Sequence, residues 1–444
     1  MEDNQEGEKL KNGLIYGLND KPPFKEAFFA ALQHLLAIFV AIITPPLIIA
    51  GALKLDAETT GYLVSMALFA SGISTFIQCR RFGGLGTGLL CIQGTSFSFI
   101  GPIIAAGTMG GLPLIFGSCI AASTVEMFIS RILKYTKRII TPLISGIVVT
   151  LIGMSLIKVG ITACGGGAAA QADGSFGSLH HVGLAALVLL LIIAFNRSSN
   201  RYLRMSSIVI GLGIGYIVAW FMGIVDFSSI QNYGGFNLPM PFRYGLDFSI
   251  STIIALGLIF MITAIEAYGE ITAKSLISGE PVEGDTFVSR ASGGILADGF
   301  NSMLAGMLNS FPNSVFAQNN GMIQLTGVAS RYVGYYIAGF LVILGLFPAV
   351  GLVFSLMPEP VLGGATLLMF GTVAAAGIRI IAAQEINRKA TLVMAISFSL
   401  GLSVGLVPEI LCQLPETLRN IFSSGITTGG IAAILANALI HIKE

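Results

Sequence analysis

Long apolar runs separated by short polar stretches fill the chain from residue 26 almost to its end. Most approach the roughly 20 residues that a helix needs to cross a bilayer. They fall at 26–51, 60–79, 85–105, 111–133, 139–160, 181–196, 206–225, 249–272, 291–308, 311–327, 332–357, 359–382, 390–408 and 423–441, and predict fourteen membrane segments. The sixth is short, and the ninth and tenth nearly touch. Residues 1–24 are polar, mix acidic and basic side chains, and lack the apolar core of a cleavable signal. They read as a cytosolic tail.

The basic residues test this count independently. With the N-terminus inside, all but four of the 24 Lys and Arg residues fall in the N-terminal tail, the even-numbered loops or the C-terminal tail. The exceptions are Lys54, Lys158, Arg243 and Arg419. Such a bias is what the positive-inside rule demands. Gaining or losing one segment midway would scramble it. Fourteen spans with both termini cytosolic are therefore expected.

An internal repeat follows. Residues 141–153 read TPLISGIVVTLIG and residues 359–371 read EPVLGGATLLMFG. Pro142, Gly146 and Gly153 match Pro360, Gly364 and Gly371 at one offset of 218 residues. These are segments five and twelve. Seven spans separate them, an odd number, so the two copies run in opposite directions, as in a 7+7 inverted repeat.

Segments three and ten are counterparts under that repeat, and both make poor helices. Segment three contains GGLGTGLLCIQGTSFSFIGP (83–102), and segment ten contains NSFPNSVFAQNNGMIQLTG (309–327). Glycine costs about 1 kcal/mol and proline about 3 kcal/mol in a helix interior. The amides of Asn313, Gln318, Asn319 and Asn320 would be costly against lipid. Irregular backbone at this depth survives only where protein or a cavity covers it. Paired broken segments at matching positions point to a transporter's binding site. The competing reading is a pair of buried packing helices with polar side chains between them. It is plausible for segment three alone and poor for segment ten.

Composition narrows the class. Hydrophobic residues make up 54% of the chain and charged residues 11%, with a mean hydropathy of +0.83. A soluble protein carries about 25% charged residues. A net charge of +1 gives nucleic-acid binding no electrostatic support. The five cysteines show no CxxC or metal-ligand spacing, so neither a metal nor another cofactor is expected. A membrane enzyme would need a nucleophile–base or metal constellation, and no such spacing is recognisable. A channel or receptor would not accumulate a solute against its gradient.

By these boundaries no Lys or Arg sits in the middle of a span, which disfavours an inorganic anion. Freed backbone N–H groups and amides suit a flat, neutral heterocycle. Ionisable groups within spans are functional candidates by default. Glu266 and Glu270 are one turn apart on segment eight and share a face. Asp298 lies early in segment nine, Glu126 late in segment four, and His34 in segment one. The bland readings differ. Glu270 would be where segment eight reaches cytosolic water. Glu126, five residues before Arg131, reads best as an interfacial anchor. His34 would be a satisfied core histidine. Glu266 and Asp298 resist such dismissal. Two glutamates one turn apart cannot both ionise cheaply in a dry core.

The run QNNGMIQLTG (318–327) resembles the signature of the nucleobase-ascorbate transporters, or nucleobase-cation symporters 2. Gln33-His34, IQGTSFSF (92–99), AIEAYGEITA (264–273) and GGILADG (293–299) resemble further motifs of that family. The continuation TGVASRYVG (326–334) is similar to bacterial xanthine permeases. The resemblance covers residues 20–441. It implies a core domain from segments 1–4 and 8–11 (residues 25–135 and 248–357) and a gate domain from segments 5–7 and 12–14 (136–226 and 358–442). It implies a homodimer and proton symport of a purine base, xanthine foremost. Glu266 and Gln318 would bind the base and Asn319 would support the site. Ser96, Phe97 and His34 would shape affinity and selectivity, and Glu270 and Asp298 would couple the proton. Some xanthine permeases have Asn at the Ser96 position and Asp at the Glu270 position. Urate, uracil, a broader purine range or an anion therefore stand as alternatives.

Overall fold

The computed structural model describes residues 14–136, 141–200, 203–204, 206–225, 238–382, 384–415, 418–419, 422 and 424–440. Most of the predicted cytosolic tail (1–13), the loop 226–237 and Lys443 lie outside the described residues, as do Lys137, Arg138 and Arg201.

The chain is a polytopic helical membrane protein. In order, its elements are α1 (Phe24–Ala52), α2 (Ala57–Arg80), β1 (Gln93–Thr95), α3 (Ile100–Thr136), α4 (Pro142–Cys164), α5 (Gly167–Asp173), α6 (Leu179–Asn196), α7 (Ser207–Phe221), α8 (Ile250–Ile277) and α9 (Gly284–Met307). There follow β2 (Asn313–Val315), α10 (Gln318–Thr326), α11 (Arg331–Leu346), α12 (Pro348–Ser355), α13 (Glu359–Ala382), α14 (Arg388–Leu406) and α15 (Gly425–Leu439). Among the described residues, eight helices are long and apolar enough to cross a membrane, and three apolar helices are shorter. Exposed Leu179, Phe221 and Leu406 show why lipid must be the solvent.

Local chemistry sets the helix starts. Asp56 accepts the Thr59 amide at 2.8 Å to cap α2, and Asn387 accepts the Ala390 amide at 2.9 Å to cap α14. Thr141 caps α4 ahead of Pro142, which needs no N–H partner at that position. Within α3 the backbone breaks at Gly110 and at Gly111, whose φ of +67° only glycine adopts cheaply. This break falls where the sequence places the boundary between segments three and four. Segment eleven divides likewise, into α11 and α12.

The helices pack most extensively as two sets. One contains α1, α2, α3, α8, α9, α11 and α12 with both strands. The other contains α4, α6, α7, α13, α14 and α15. Small residues bring α4 and α13 together. A Cβ at Gly153 would overlap the backbone of Ala374, and one at Gly377 would overlap the backbone nitrogen of Thr150. Gly153→Val is accordingly expected to destabilise the protein by about 1–3 kcal/mol, the usual cost of overpacking. A lower thermal midpoint in detergent would register it; an unchanged midpoint would mean the two helices separate freely.

Candidate functional site

The two segments that read as poor helices meet in the middle of the first helix set. β1 and β2 pair antiparallel, with Gly94 opposite Ser314 and Thr95 opposite Asn313. The Ser96 amide donates to Pro312 O at 2.9 Å, and the Phe316 amide to Ile92 O at 3.0 Å. Each strand thus satisfies the other's backbone where no helix can. Glycine at 94 lets the Phe316 ring and the Ile42 side chain pack onto the strand, where a Cβ would overlap both. The chain then turns through Phe97–Phe99 into α3, and from β2 into α10 at Gln318.

One face of α8 reads both broken segments. The Ser98 hydroxyl donates to Glu266 Oε2 at 3.4 Å. One turn later, Asn320 Nδ2 donates to Glu270 Oε2 at 2.6 Å. One turn later again, Lys274 Nζ lies 3.5 Å from Glu270 Oε2 and donates to Phe316 O at 2.9 Å. Glu266 and Gln318 are half-buried, whereas Asn319 and Lys274 are fully buried. A weakly engaged carboxylate and an amide without a hydrogen bond among the described residues are what a solute would find here.

Fully buried His34 places Nδ1 3.0 Å from Asn319 Oδ1, and Asn319 Nδ2 donates to Leu90 O at 2.6 Å. With the amide so oriented, His34 Nδ1 carries the proton, and Nε2 has no hydrogen-bond partner among the described residues. Histidine and asparagine together clamp α1, α10 and the approach to β1. Ser96 is buried beside the strands. Phe97 packs edge-on against Phe370 of α13, with centroids 5.5 Å apart, and so touches the second helix set.

Asp298 lies on the other side of β1. Gln93 Nε2 donates to its Oδ1, and Asn301 Nδ2 donates to Gln93 Oε1 at 2.6 Å. Asn313 Nδ2 reaches Ser74 Oγ at 2.9 Å. This network ties α2, α9 and both strands together.

Three readings from sequence change. Helix α8 runs on to Ile277, past the predicted end at 272, so Lys274 is a buried cation within a helix, not a loop residue. Glu270 and Phe316 O occupy it, so it is not offered to an anion. Glu270 is buried, not at open water. Glu126 is fully buried, not an interfacial anchor, because α3 continues ten residues beyond it, about 15 Å along the axis. Lys274 stands at i+4 from Glu270 and Asn301 at i+3 from Asp298, spacings that could have flagged both. Nothing in the sequence pairs Gln93 with Asp298.

The model of the xanthine/uracil permease family, described as a permease family, matches residues 25–438. Xanthine permease XanP of Escherichia coli (strain K12) is 51% identical over 436 residues, 96% of this chain and 94% of that protein. Xanthine permease XanQ of the same organism is 48% identical over the same shares. The nucleobase transporter PlUacP of Paenibacillus larvae subsp. larvae is 35% identical over 92% of this chain and 93% of its own. Two solved structures share the fold at low identity. The transmembrane domain of the cyanobacterial bicarbonate transporter BicA gives a TM-score of 0.56 at 13% identity, covering 95% of this chain and 100% of that one. SLC26A9 gives a TM-score of 0.65 at 10% identity, covering 94% of this chain and 66% of that one. With a family model spanning most of its length and relatives half identical to it almost end to end, this chain belongs to the xanthine/uracil permease family.

Proposed function

We propose that the protein is a proton-coupled symporter that imports a purine base, xanthine foremost, across the cytoplasmic membrane. The observation that carries this is the pairing of half-buried Glu266 with half-buried Gln318 where α8 meets the two broken segments. A carboxylate accepts from ring N–H groups, and a glutamine both donates to a carbonyl and accepts from an N–H. Xanthine presents both. The relatives named as xanthine permeases point the same way. Asn319 and His34 hold α10 in place, and Ser96 and Phe97 close the site at the start of α3. Asp298 and Glu270 serve coupling, Glu270 by fixing α10 through Asn320.

The architecture we infer has fourteen spans in a 7+7 inverted repeat, both termini cytosolic, and a homodimeric assembly. The repeat gains support from register. Thr95 faces Asn313 across the strand pair, and the helices that follow begin at Ile100 and Gln318. Both pairs stand 218 residues apart, the offset of the proline–glycine matches. A core domain (25–135 and 248–357) and a gate domain (136–226 and 358–442) agree with the two packed helix sets. Labelling of single cysteines placed in successive loops by an impermeant reagent tests the topology, and two adjacent loops labelling from one side would break it.

A proton falling through about 100 mV supplies about 2.3 kcal/mol, roughly 50-fold accumulation. Expressed in cells lacking purine uptake, the protein is expected to concentrate labelled xanthine, and an uncoupler to abolish this. Unlabelled urate and 8-methylxanthine should compete measurably, because Ser96 is smaller than the asparagine that some xanthine permeases carry at this position. Uracil competing better than xanthine would remove the purine assignment.

A further inference from the structure

Glu126 has no part in the site described above, yet it is among the most buried charges in the chain. It lies on the second half of α3, fully enclosed, and neither of its carboxylate oxygens has a hydrogen-bond partner among the described residues. Asp298 on α9 is enclosed as completely. Gln93 engages its Oδ1, and its Oδ2 has no partner among the described residues.

Backbone contact brings these two acids together. A Cβ on Gly299 would stand 3.0 Å from both Ser123 O and Met127 N, so α9 and α3 touch main chain to main chain beside Asp298 and Glu126. Ser292 Oγ reinforces the contact by donating to Ser130 O at 2.7 Å. This backbone contact sets the two carboxyl groups facing each other as interacting charges, although no hydrogen bond joins them in this arrangement. The other groups facing them are Thr263 and Glu266 on α8, Gln93 on β1, and Lys274 at longer range. Among the described residues no cation pairs with either acid, and Lys274 is engaged by Glu270 and Phe316 O.

Two dry carboxylates that face each other cannot both ionise cheaply, and a proton between them would turn orphan acceptors into one hydrogen bond. We infer that Glu126 and Asp298 form an acid pair that holds a shared proton in the enclosed arrangement seen here and releases it when water reaches them. This rests on the symport reading and names its proton site. Hydration stabilises the doubly ionised pair, so the proton leaves on whichever side of the membrane the pair is opened. An ionised Glu266 nearby disfavours a second charge on the pair, which links proton loading to the charge at the substrate site. Glu270 is engaged instead by Lys274 and Asn320.

The test uses the purified full chain, wild type beside Glu126→Gln, Asp298→Asn and the double variant. Infrared difference spectra through a pH titration read the C=O stretch of a protonated carboxyl. Proteoliposomes read uptake of labelled xanthine on an imposed pH gradient and, separately, exchange of labelled for unlabelled xanthine with no gradient. The expected result is a buried protonated-carboxyl band in the wild type, altered in each single variant and lost in the double. Glu126→Gln should keep exchange and lose gradient-driven accumulation. Should Glu126→Gln fail to fold, Asp298→Asn gives the same readouts. A double variant that keeps the band, or a Glu126→Gln protein that accumulates xanthine like the wild type, overturns the acid pair. A wild type that accumulates no xanthine removes the symport reading, while the band still decides whether the pair holds a proton.

Discussion

Replacing Glu266 by glutamine is expected to weaken xanthine binding roughly 10- to 150-fold while leaving the fold in place. That range corresponds to losing a hydrogen bond to a charged group, about 1.5–3 kcal/mol. The geometry explains why the loss should fall on ligand and not on structure. Among the described residues Glu266 has a single hydrogen-bond partner, the Ser98 hydroxyl at 3.4 Å, and a glutamine oxygen accepts from it equally well. Glutamine is also isosteric, so the packing of α8 against α3 is kept. What changes is the group offered to the solute. A carboxylate presents acceptors only, whereas an amide presents one acceptor and a nitrogen that opposes the ring N–H. Gln318→Ala should weaken binding in the same direction, since it removes both a donor and an acceptor from α10. Equilibrium binding to purified protein in detergent, alongside a check that each variant reaches the membrane, makes the measurement. Wild-type affinity in Glu266→Gln would remove that residue from the site.

The broken segments are legible in sequence because apolar runs that contain glycine, proline and clustered amides contradict their own helix period. The strands at Gln93–Thr95 and Asn313–Val315 lie within those two runs. Glu266 and Asp298 are legible because each is a carboxylate inside an apolar run with no Lys or Arg close by in sequence to make it an interfacial anchor. Lys274 and Glu126 are not, for one shared reason. Their meaning depends on where a helix ends, and apolar runs report the lipid-facing length of a helix, not its buried length. Helix α8 continues past residue 272 because Glu270 and Phe316 O supply partners for an ammonium group that lipid would reject. Those partners come from the preceding turn and from Phe316, just after β2, 42 residues away. Likewise Glu126 resembles an anchor because Arg131 follows it closely. Only the approach of α9 at Gly299 shows that protein covers it. The partnership of Gln93 with Asp298 spans 205 residues and has no local signature.

Lys274→Met is expected to be among the most damaging single substitutions in the chain, and pairing it with Glu270→Gln should recover much of the loss. Lys274 is wholly buried, and Glu270 nearly so. Removing one member of a buried ion pair leaves the other as an uncompensated charge and costs about 3–5 kcal/mol, whereas removing both charges together is far milder. The cost should appear at the binding site as well as in stability. Lys274 also donates to the Phe316 carbonyl, which lies in the turn from β2 into α10, two residues before Gln318. Without that donor the turn loses an anchor, and Gln318 loses its position. In the double variant the glutamine at 270 still accepts from Asn320, so α10 keeps its tie to α8 although the charge has gone. Glu270→Gln alone should fare worse than the double variant, because it strands a buried ammonium. Thermal midpoints and xanthine affinities of the four proteins in a double-mutant cycle read the coupling directly. Single losses that simply add in the double variant would mean that Glu270 and Lys274 are solvated independently, and that the ion pair does not hold α10 for the substrate.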